Sequence, residues 1–291
     1  MHPAPSVIIF TTFSGFGFGL LFWLGIGMPA PTSLVAFAFF AIAYIMAIGG
    51  LLASTFHLGR PERAFKAFSQ WRSSWLSREG ICAVGTLLIM AIYGAGLVFF
   101  DTTWTVLGWL GALGALATVF TTSMIYAQLK TVPRWKHWTT PALFLILSIG
   151  GGALFSANIN IAMPIFVIAG GLQTFAWFHG DGRFNASGTS LETATGLGHV
   201  GQVRAFEPPH TGTNYLMREF IHVVGRKHAM QLRVMTLVLS FILPIFLLLL
   251  PDAKHLLGLL AIISHVAGIL TLRWLFFAQA EHVVGLYYGK R

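Results

Sequence analysis

Residues 55–80, TFHLGRPERAFKAFSQWRSSWLSREG, connect two long apolar runs of the 291-residue chain. Five basic residues lie in this connection, namely Arg60, Arg63, Lys66, Arg72 and Arg78. His57 lies near its start, Glu79 near its end, and Trp71 and Trp75 between them. Aromatic side chains with a polar edge favour the boundary between lipid headgroups and hydrocarbon. The stretch is therefore expected at one face of a membrane, where it places a titratable pair, His57 and Glu79.

The composition of the whole chain is typical of an integral membrane protein. It is 56% hydrophobic and 9% charged, with a mean hydropathy of +0.75, whereas a soluble domain is about 25% charged. Eight apolar runs are long enough to cross the hydrocarbon core as helices: 7–27, 33–55, 81–100, 104–127, 141–157, 161–178, 232–251 and 255–277. Because lipid offers no hydrogen-bond partners to the backbone, helices are expected. Residues 1–291 are thus predicted to form a single polytopic all-α membrane domain, a bundle of eight transmembrane helices.

Basic residues are distributed unevenly between the two sides of this predicted bundle. The connections after the first, third, fifth and seventh runs are short, whereas those after the second, fourth and sixth are longer and basic. Of the 18 basic residues, all except Lys254 fall on the side of the longer connections. The positive-inside rule then places the long loops and both termini on the same, cytoplasmic side. The net charge of +9 is a topology and headgroup signal, so no nucleic-acid partner is expected.

One connection, 179–231, is long enough to hold a partner protein, although it is too small for a catalytic domain. Its first half, residues 180–202, is rich in Gly, Ser and Thr and is expected to lack regular structure. In its second half Pro208 and Pro209 break any helix. A short amphipathic helix is predicted through MREFIHVVGRKHAMQLR (217–233), leading into the seventh span.

His57 and Glu79 are candidates for proton-coupled chemistry on a lipid-borne substrate, for which a quinone is the natural candidate. A histidine can donate a proton to a quinone carbonyl and be reprotonated near neutral pH, and a carboxylate on the aqueous side can relay protons. Arg63, one turn beyond Arg60 if the loop is helical, could orient the carboxylate or the headgroup. In the structural alternative, His57 caps the second span and Glu79 pairs with Arg78 or Arg60.

Other cofactors find few ligands in the sequence. The single cysteine, Cys82, excludes an internal disulfide, an iron–sulfur cluster within the chain, which needs about four thiolates, and covalently attached haem. A haem b needs two axial ligands on facing helices. His265 has no partner at a matched depth and is expected to bond a backbone or hydroxyl group, so haem b is not favoured.

The sequence contains no metal-binding cluster, nucleophile motif or nucleotide loop. A membrane subunit that exchanges electrons between a docked redox partner and quinone is therefore favoured. The competing class is a transporter, but the sequence lacks the matched interruptions in corresponding halves that many transporters show.

Small and amide residues in the apolar runs have expected packing roles. Glycines cluster inside or at the ends of the runs, at Gly15, Gly17, Gly19, Gly49, Gly50, Gly108, Gly111, Gly114, Gly150, Gly151, Gly152, Gly170 and Gly171. Such residues let membrane helices approach closely. Asn158 and Asn160, in a short connection, are expected to cap helix ends.

Four stretches resemble the membrane anchor subunits of the dimethyl sulfoxide reductase family: STFHLGRPERAF (54–65), SREG (77–80), PPHTGTNYLMREF (208–220) and RWLFFAQAEHVVGLYYG (273–289). The resemblance covers essentially the whole chain, including the eight spans. It implies a subunit of the bacterial inner membrane that joins an iron–sulfur subunit and a molybdopterin-containing catalytic subunit. Such a subunit exchanges electrons with ubiquinone or menaquinone without a haem of its own, and segment 179–231 would dock the iron–sulfur partner.

The resemblance also implies roles for individual residues. The family's quinone-site positions fall on His57, Gly59, Arg63, Phe65 and Glu79, while its serine two positions after the Phe is Ala67 here. In the implied mechanism His57 donates to a quinone carbonyl, and Glu79, helped by Arg63 and Arg78, supplies protons.

Two branches of the family differ in the direction of electron flow. The loop PPHTGTNYLMREF and the predicted cytoplasmic basic loops resemble the cytoplasm-facing sulfite dehydrogenases, which pass electrons from sulfite to quinone. The alternative is the anchor of a dimethyl sulfoxide or related reductase, which takes electrons from quinol.

Overall fold

The computed structural model describes residues 1–56, 60–207, 211–222, 228–251 and 255–289. Within these ranges the regular structure is entirely helical, so the all-α prediction is confirmed. Five residues named above, His57, Gly59, Pro208, Pro209 and Lys254, lie outside the described ranges.

The helices follow the apolar runs closely. They are α1 (Pro5–Gly25), α2 (Ser33–Thr55), α3 (Trp75–Phe99), α4 (Thr105–Ala127), α5 (Thr139–Phe155), α6 (Ile159–Ala186), α7 (Leu191–Thr195), α8 (Tyr215–Phe220), α9 (Ala229–Leu249) and α10 (His255–Ala278). Short 3₁₀ helices span Pro61–Gln70 and Val283–Tyr288. Among the described residues, seven helices are long and apolar enough to cross a membrane: α1 to α4, α6, α9 and α10. The apolar helix α5 has 17 residues and is shorter, so an eighth span stays a prediction.

Helix α1 lies at the centre of the bundle and packs against α2, α4, α5 and α10. Close approach at glycines makes this possible, as the sequence predicts. Gly17 lies against the backbone of α2, Gly19 against Gly152 of α5, and Gly25 against Gly108 of α4. A Cβ atom at any of these contacts would collide with backbone atoms. The prediction fails at positions that face open space, namely Gly15, Gly49 and Gly171.

One end of the bundle gathers most of the long connections. We call it the basic end and define it by residues 60–74, 128–138 and 279–289. The backbone nitrogen of Met1 donates to the Ala280 carbonyl at 2.6 Å. The backbone nitrogen of Val283 donates to the Thr131 carbonyl at 3.0 Å, and the Tyr287 hydroxyl donates to the Ala194 carbonyl at 2.9 Å. These bonds hold the start of α1, the α4–α5 connection and the segment after α10 together.

The long connection contains more helix than the sequence predicts. Helix α6 continues to Ala186, and α7 forms within the segment expected to be irregular. Asp181 lies in the extended part of α6 and accepts hydrogen bonds from Arg134 at 2.6 Å and from Arg233 at 2.6 Å. Both arginines lie outside α6, so these bonds stabilise the extension against neighbouring segments. A capping box between Ser190 and Thr193 starts α7. The prediction of an irregular first half was therefore wrong for these parts.

Two other local predictions also need correction. The amphipathic helix predicted for 217–233 is interrupted, because α8 ends at Phe220, Ile221 and His222 are not helical, and α9 begins at Ala229. Asn158 does not cap α6 with its side chain. Its amide instead donates to the Met28 carbonyl at 2.7 Å, which joins two short connections across the bundle.

Candidate functional site

The connection from α2 to α3 folds as a 3₁₀ helix that is fixed to the start of α3. The Arg63 N–H donates to the Arg60 carbonyl at 3.0 Å, so the two arginines are one 3₁₀ turn apart, as expected for a helical loop. Ser77 is buried and forms the link to α3. Its hydroxyl donates to the Ala67 carbonyl and accepts from the Gln70 N–H at 3.1 Å. The position where the family has a serine thus contributes its backbone here.

Two aromatic side chains of this 3₁₀ helix, Phe65 and Phe68, are exposed on the surface. Phe65 is 69% exposed and Arg63 is also exposed. Phe68 is 44% exposed, and its ring packs on Gly80 of α3. The structure therefore places Arg63 and Phe65 on the outer surface of the loop and does not bring them into contact with the Glu79 side chain.

The Arg78 side chain bonds to the backbone of the loop and not to the adjacent residue Glu79. Its Nε donates to the Trp71 carbonyl at 2.9 Å and a terminal nitrogen donates to the Arg72 carbonyl at 2.7 Å. Its guanidinium carbon lies 4.3 Å from the centre of the Trp75 ring, a cation–π contact. Adjacent helical residues point about 100° apart. Arg78 therefore stabilises the turn before α3, and the surface pairing of Glu79 with it is not observed.

Glu79 lies inside the bundle between α3 and α4 and is only 3% exposed. Its Oε1 lies 2.5 Å from the hydroxyl of Thr122, which also lies 2.9 Å from the Thr118 carbonyl. Because a hydroxyl carries one hydrogen, Thr122 donates to one of these acceptors at a time. It donates to Glu79 when the carboxyl is ionised. A protonated Glu79 can instead donate to Thr122, which then donates to Thr118, so the pair can adapt to either protonation state.

Further hydroxyl groups continue this polar contact into the bundle. The Thr118 hydroxyl lies 3.4 Å from that of Thr86 on α3, and both side chains are buried. The row from Glu79 to Thr86 covers seven residues of α3, which is about 10 Å along the axis. One turn further along α3, the Met90 side chain packs on Gly111 of α4. These threonines were not predicted as site residues, although the spacing of Thr118 and Thr122 by four residues on an apolar helix is a usable signal.

His265 has a structural role that follows from a proline in α9. The turn Val238–Ile242 is π-helical, and Pro244 follows it without an N–H to donate. An N–H at residue 244 would donate to the Ser240 carbonyl in the α-helical pattern, or to the Leu239 carbonyl in the π-helical pattern. Without it, both carbonyls need another donor. Ser264 donates to the Leu239 carbonyl at 2.8 Å, and His265 Nδ1 donates to the Ser240 carbonyl at 2.6 Å. The predicted bond of His265 to backbone is confirmed.

No cluster of three His, Cys, Asp or Glu side chains in the described ranges is arranged to hold a metal ion. The His265 ring is buried and stacks on Phe166 with 4.4 Å between ring centres. What the described site offers is one buried carboxyl with a hydroxyl row behind it, beneath a loop of arginine and phenylalanine side chains.

Comparison with known proteins gives consistent matches. Residues 1–289 match the family described as DMSO reductase anchor subunit (DmsC). A protein of Allochromatium vinosum that is named as a subunit of sulfite dehydrogenase is 33% identical over 99% of both proteins. Two anaerobic dimethyl sulfoxide reductase proteins of Escherichia coli also match. One, YnfH, is 29% identical over 57% of this sequence and 60% of its own, and the other is 33% identical over 42% and 44%. No solved structure matches significantly.

Proposed function

Since this protein belongs to the family of DMSO reductase anchor subunits, we propose that it carries electrons between a docked iron–sulfur subunit and the quinone pool of the membrane. The observation that carries the proposal is Glu79, a carboxyl buried at the base of the loop 60–74 and bonded to Thr122. Ionisable groups at such depth are rare in membrane proteins and mark proton or substrate routes.

The described residues fit a quinone headgroup at this loop. Phe65 and Phe68 offer partly exposed rings to a flat, apolar headgroup with a polar edge. Arg63 is exposed on the same 3₁₀ helix. The resemblance adds His57 and Gly59 to the quinone-binding residues, together with Arg63, Phe65, Arg78 and Glu79. Ubiquinone and menaquinone share this chemistry.

Quinone reduction consumes two electrons and two protons, and this subunit supplies the protons. His57 holds one at an imidazole nitrogen and donates it towards a carbonyl oxygen. Glu79 holds the second and is reprotonated from the side of the basic end. Thr122 orients the carboxyl and can reverse the direction of its hydrogen bond when Glu79 changes protonation state. Arg78 contributes indirectly, by holding the turn before α3.

The electrons come from partner subunits that dock at the basic end. The start of the segment 179–231 adjoins this end, since Asp181 on α6 bonds to Arg134 of the α4–α5 connection and to Arg233. We place the iron–sulfur subunit against this face, with the molybdopterin-containing catalytic subunit beyond it. By the positive-inside rule, this face lies on the cytoplasmic side of a bacterial inner membrane.

We favour sulfite as the source of the electrons. The Allochromatium vinosum relative, named as part of a sulfite dehydrogenase, aligns over 99% of both proteins. The matches to the Escherichia coli reductase proteins are partial. The second candidate is therefore a reductase anchor, in which electrons leave quinol for dimethyl sulfoxide or a related acceptor.

Sulfite-dependent ubiquinone reduction in inside-out membrane vesicles tests the proposal. Activity should require this subunit. His57→Ala should stop ubiquinone reduction and leave sulfite oxidation by an artificial acceptor intact, because only the quinone site is changed. Loss of both activities in His57→Ala would show failed assembly and is checked by the amount of complex in the membrane. Vesicles that lack sulfite activity but oxidise quinol with dimethyl sulfoxide would move the protein to the reductase branch.

A further inference from the structure

Arg273 is a charged residue buried in α10 that the proposed electron transfer does not use. It is 3% exposed, and its guanidinium carbon lies 3.7 Å from the centre of the Phe144 ring. Its Nε has no hydrogen-bond partner. The ion pairs found among the described residues involve other arginines. A charge removed from water is stable only with a compensating partner, and the aromatic ring supplies only part of one.

A small cavity adjoins this guanidinium. It measures about 50 Å³ and lies between α5, α6, α10 and the α4–α5 connection. Arg134, Gln173 and Gln279 also line it. A buried site needs roughly 10–15 Å³ for one water molecule. The cavity therefore has room for a few waters or for one small ion, but it is too small for a quinone headgroup.

The cavity offers donors and few acceptors. Its thirteen lining residues, all within the described part of the protein, include no aspartate or glutamate. Gln173 is 5% exposed, and its amide oxygen has no partner. A half-turn of that amide presents its NH₂ group instead. Gln279 adds no free acceptor, because its amide oxygen, in the orientation that satisfies its neighbours, accepts from Arg233 Nε at 3.0 Å.

The charges that line the cavity and its surroundings indicate which charge a bound partner of Arg273 would carry. A wider cleft of about 360 Å³ lies towards the basic end and shares Arg134 and Gln279 with the cavity. In the cleft two guanidiniums, Arg134 and Arg233, face two carboxylates, Asp181 and Glu281. Their charges balance, so among the described residues that line the cavity and the cleft the unmatched charge is the positive charge of Arg273.

We propose that the cavity beside Arg273 binds one small monovalent anion of the size of chloride. The anion accepts hydrogen bonds from Arg273 Nε and from the Gln173 amide, and it reaches the cavity through the cleft at the basic end. It neutralises the positive charge of Arg273 where α5, α6 and α10 meet. The proposal does not depend on quinone chemistry, because none of the residues that line the cavity is among those proposed to bind quinone or to supply its protons.

Thermal unfolding of the purified full-length protein in detergent tests this site. Chloride replacing gluconate at constant ionic strength and pH should raise the unfolding temperature in a saturable way, because an ion that binds only the folded state stabilises it. Gluconate is too large for the cavity. Arg273→Gln should abolish the difference between the two salts. Arg204→Gln, which removes an exposed arginine far from the cavity in sequence, should preserve it.

A second variant and a direct measurement keep the test decisive if Arg273→Gln fails to fold. Gln173→Leu keeps the cation and should weaken chloride binding about tenfold, the effect of losing one charge-assisted hydrogen bond. Crystals of the unaltered protein grown in bromide should show anomalous density beside Arg273. Equal unfolding temperatures in chloride and gluconate, or bromide density confined to the surface, would overturn the proposal.

Discussion

At the scale of single residues, Glu79 shows how a helix separates neighbours in sequence. Arg78 and Glu79 are adjacent, yet the arginine bonds to loop carbonyls and the carboxyl points into the α3–α4 interface. The residue that contacts Glu79 is Thr122, 43 positions away. A buried carboxyl with a hydroxyl partner is suited to hold and release a proton.

Replacing this carboxyl tests its role in proton supply. Glu79→Gln keeps the size and the hydrogen bond to Thr122 but cannot carry a proton. Quinone turnover should fall by about 10²–10⁴-fold, the usual contribution of a positioned acid or base, while oxidation by an artificial acceptor is unchanged. Glu207→Gln, at an exposed site before α8, is the matched control. Quinone turnover of Glu79→Gln equal to that of the control would exclude Glu79 from the proton route.

At the scale of elements, the π-helical turn of α9 shows how a proline is accommodated within a span. Pro244 leaves the carbonyls of Leu239 and Ser240 without their backbone donors, and α10 supplies Ser264 and His265 in compensation. Gly268 allows this approach, since its Cα faces Ser240 directly. In hydrocarbon an unpaired carbonyl is expensive, so α9 and α10 stabilise each other as a pair.

A double-mutant cycle measures this compensation. His265→Leu should lower the free energy of unfolding by about 1–3 kcal/mol, because it leaves the Ser240 carbonyl unpaired. In a Pro244→Ala background residue 244 regains its N–H, so the same change should cost less. His255→Leu, exposed at the start of α10, controls for the loss of an imidazole. Equal effects of His265→Leu in both backgrounds would show that Pro244 and His265 are not coupled.

At the scale of the whole molecule, the basic residues of the described ranges and several long-range bonds gather at one end. Met1 bonds to the carbonyl after α10, and the segment 283–288 bonds to the α4–α5 connection. The opposite end has short connections, one of which is tied by Asn158 to Met28. This asymmetry is what the positive-inside rule uses to orient a bundle.

Labelling of introduced cysteines tests both the orientation and the eighth span. In a Cys82→Ala background, Thr103→Cys and Asn160→Cys should react with a membrane-impermeant maleimide on spheroplasts, whereas Arg204→Cys should react only after permeabilisation. Asn160 lies after α5, so its labelling depends on α5 crossing the membrane. Labelling of Arg204→Cys alone would reverse the orientation and favour an exported catalytic partner. Labelling of Thr103→Cys without Asn160→Cys would remove α5 from the spans.

The sequence by itself determined the all-α membrane class, the positions of the apolar runs and the family, because span length and hydropathy are local properties of a polypeptide. It also identified the connection 55–80, whose motif and charge need no tertiary information. His57 and Gly59, the most specific part of that motif, rest on the sequence alone, since they lie outside the described residues.

Only the tertiary structure decided which side chains meet. The rotation of neighbouring helices about their axes decides three features. Glu79 is buried against Thr122, Arg78 donates hydrogen bonds to loop carbonyls, and α6 continues to Ala186. The burial of Arg273 against Phe144 has the same origin. A uniformly apolar helix in lipid has no hydrophobic face to fix its rotation, so packing at small residues and polar contacts sets it, and these partners are far apart in sequence.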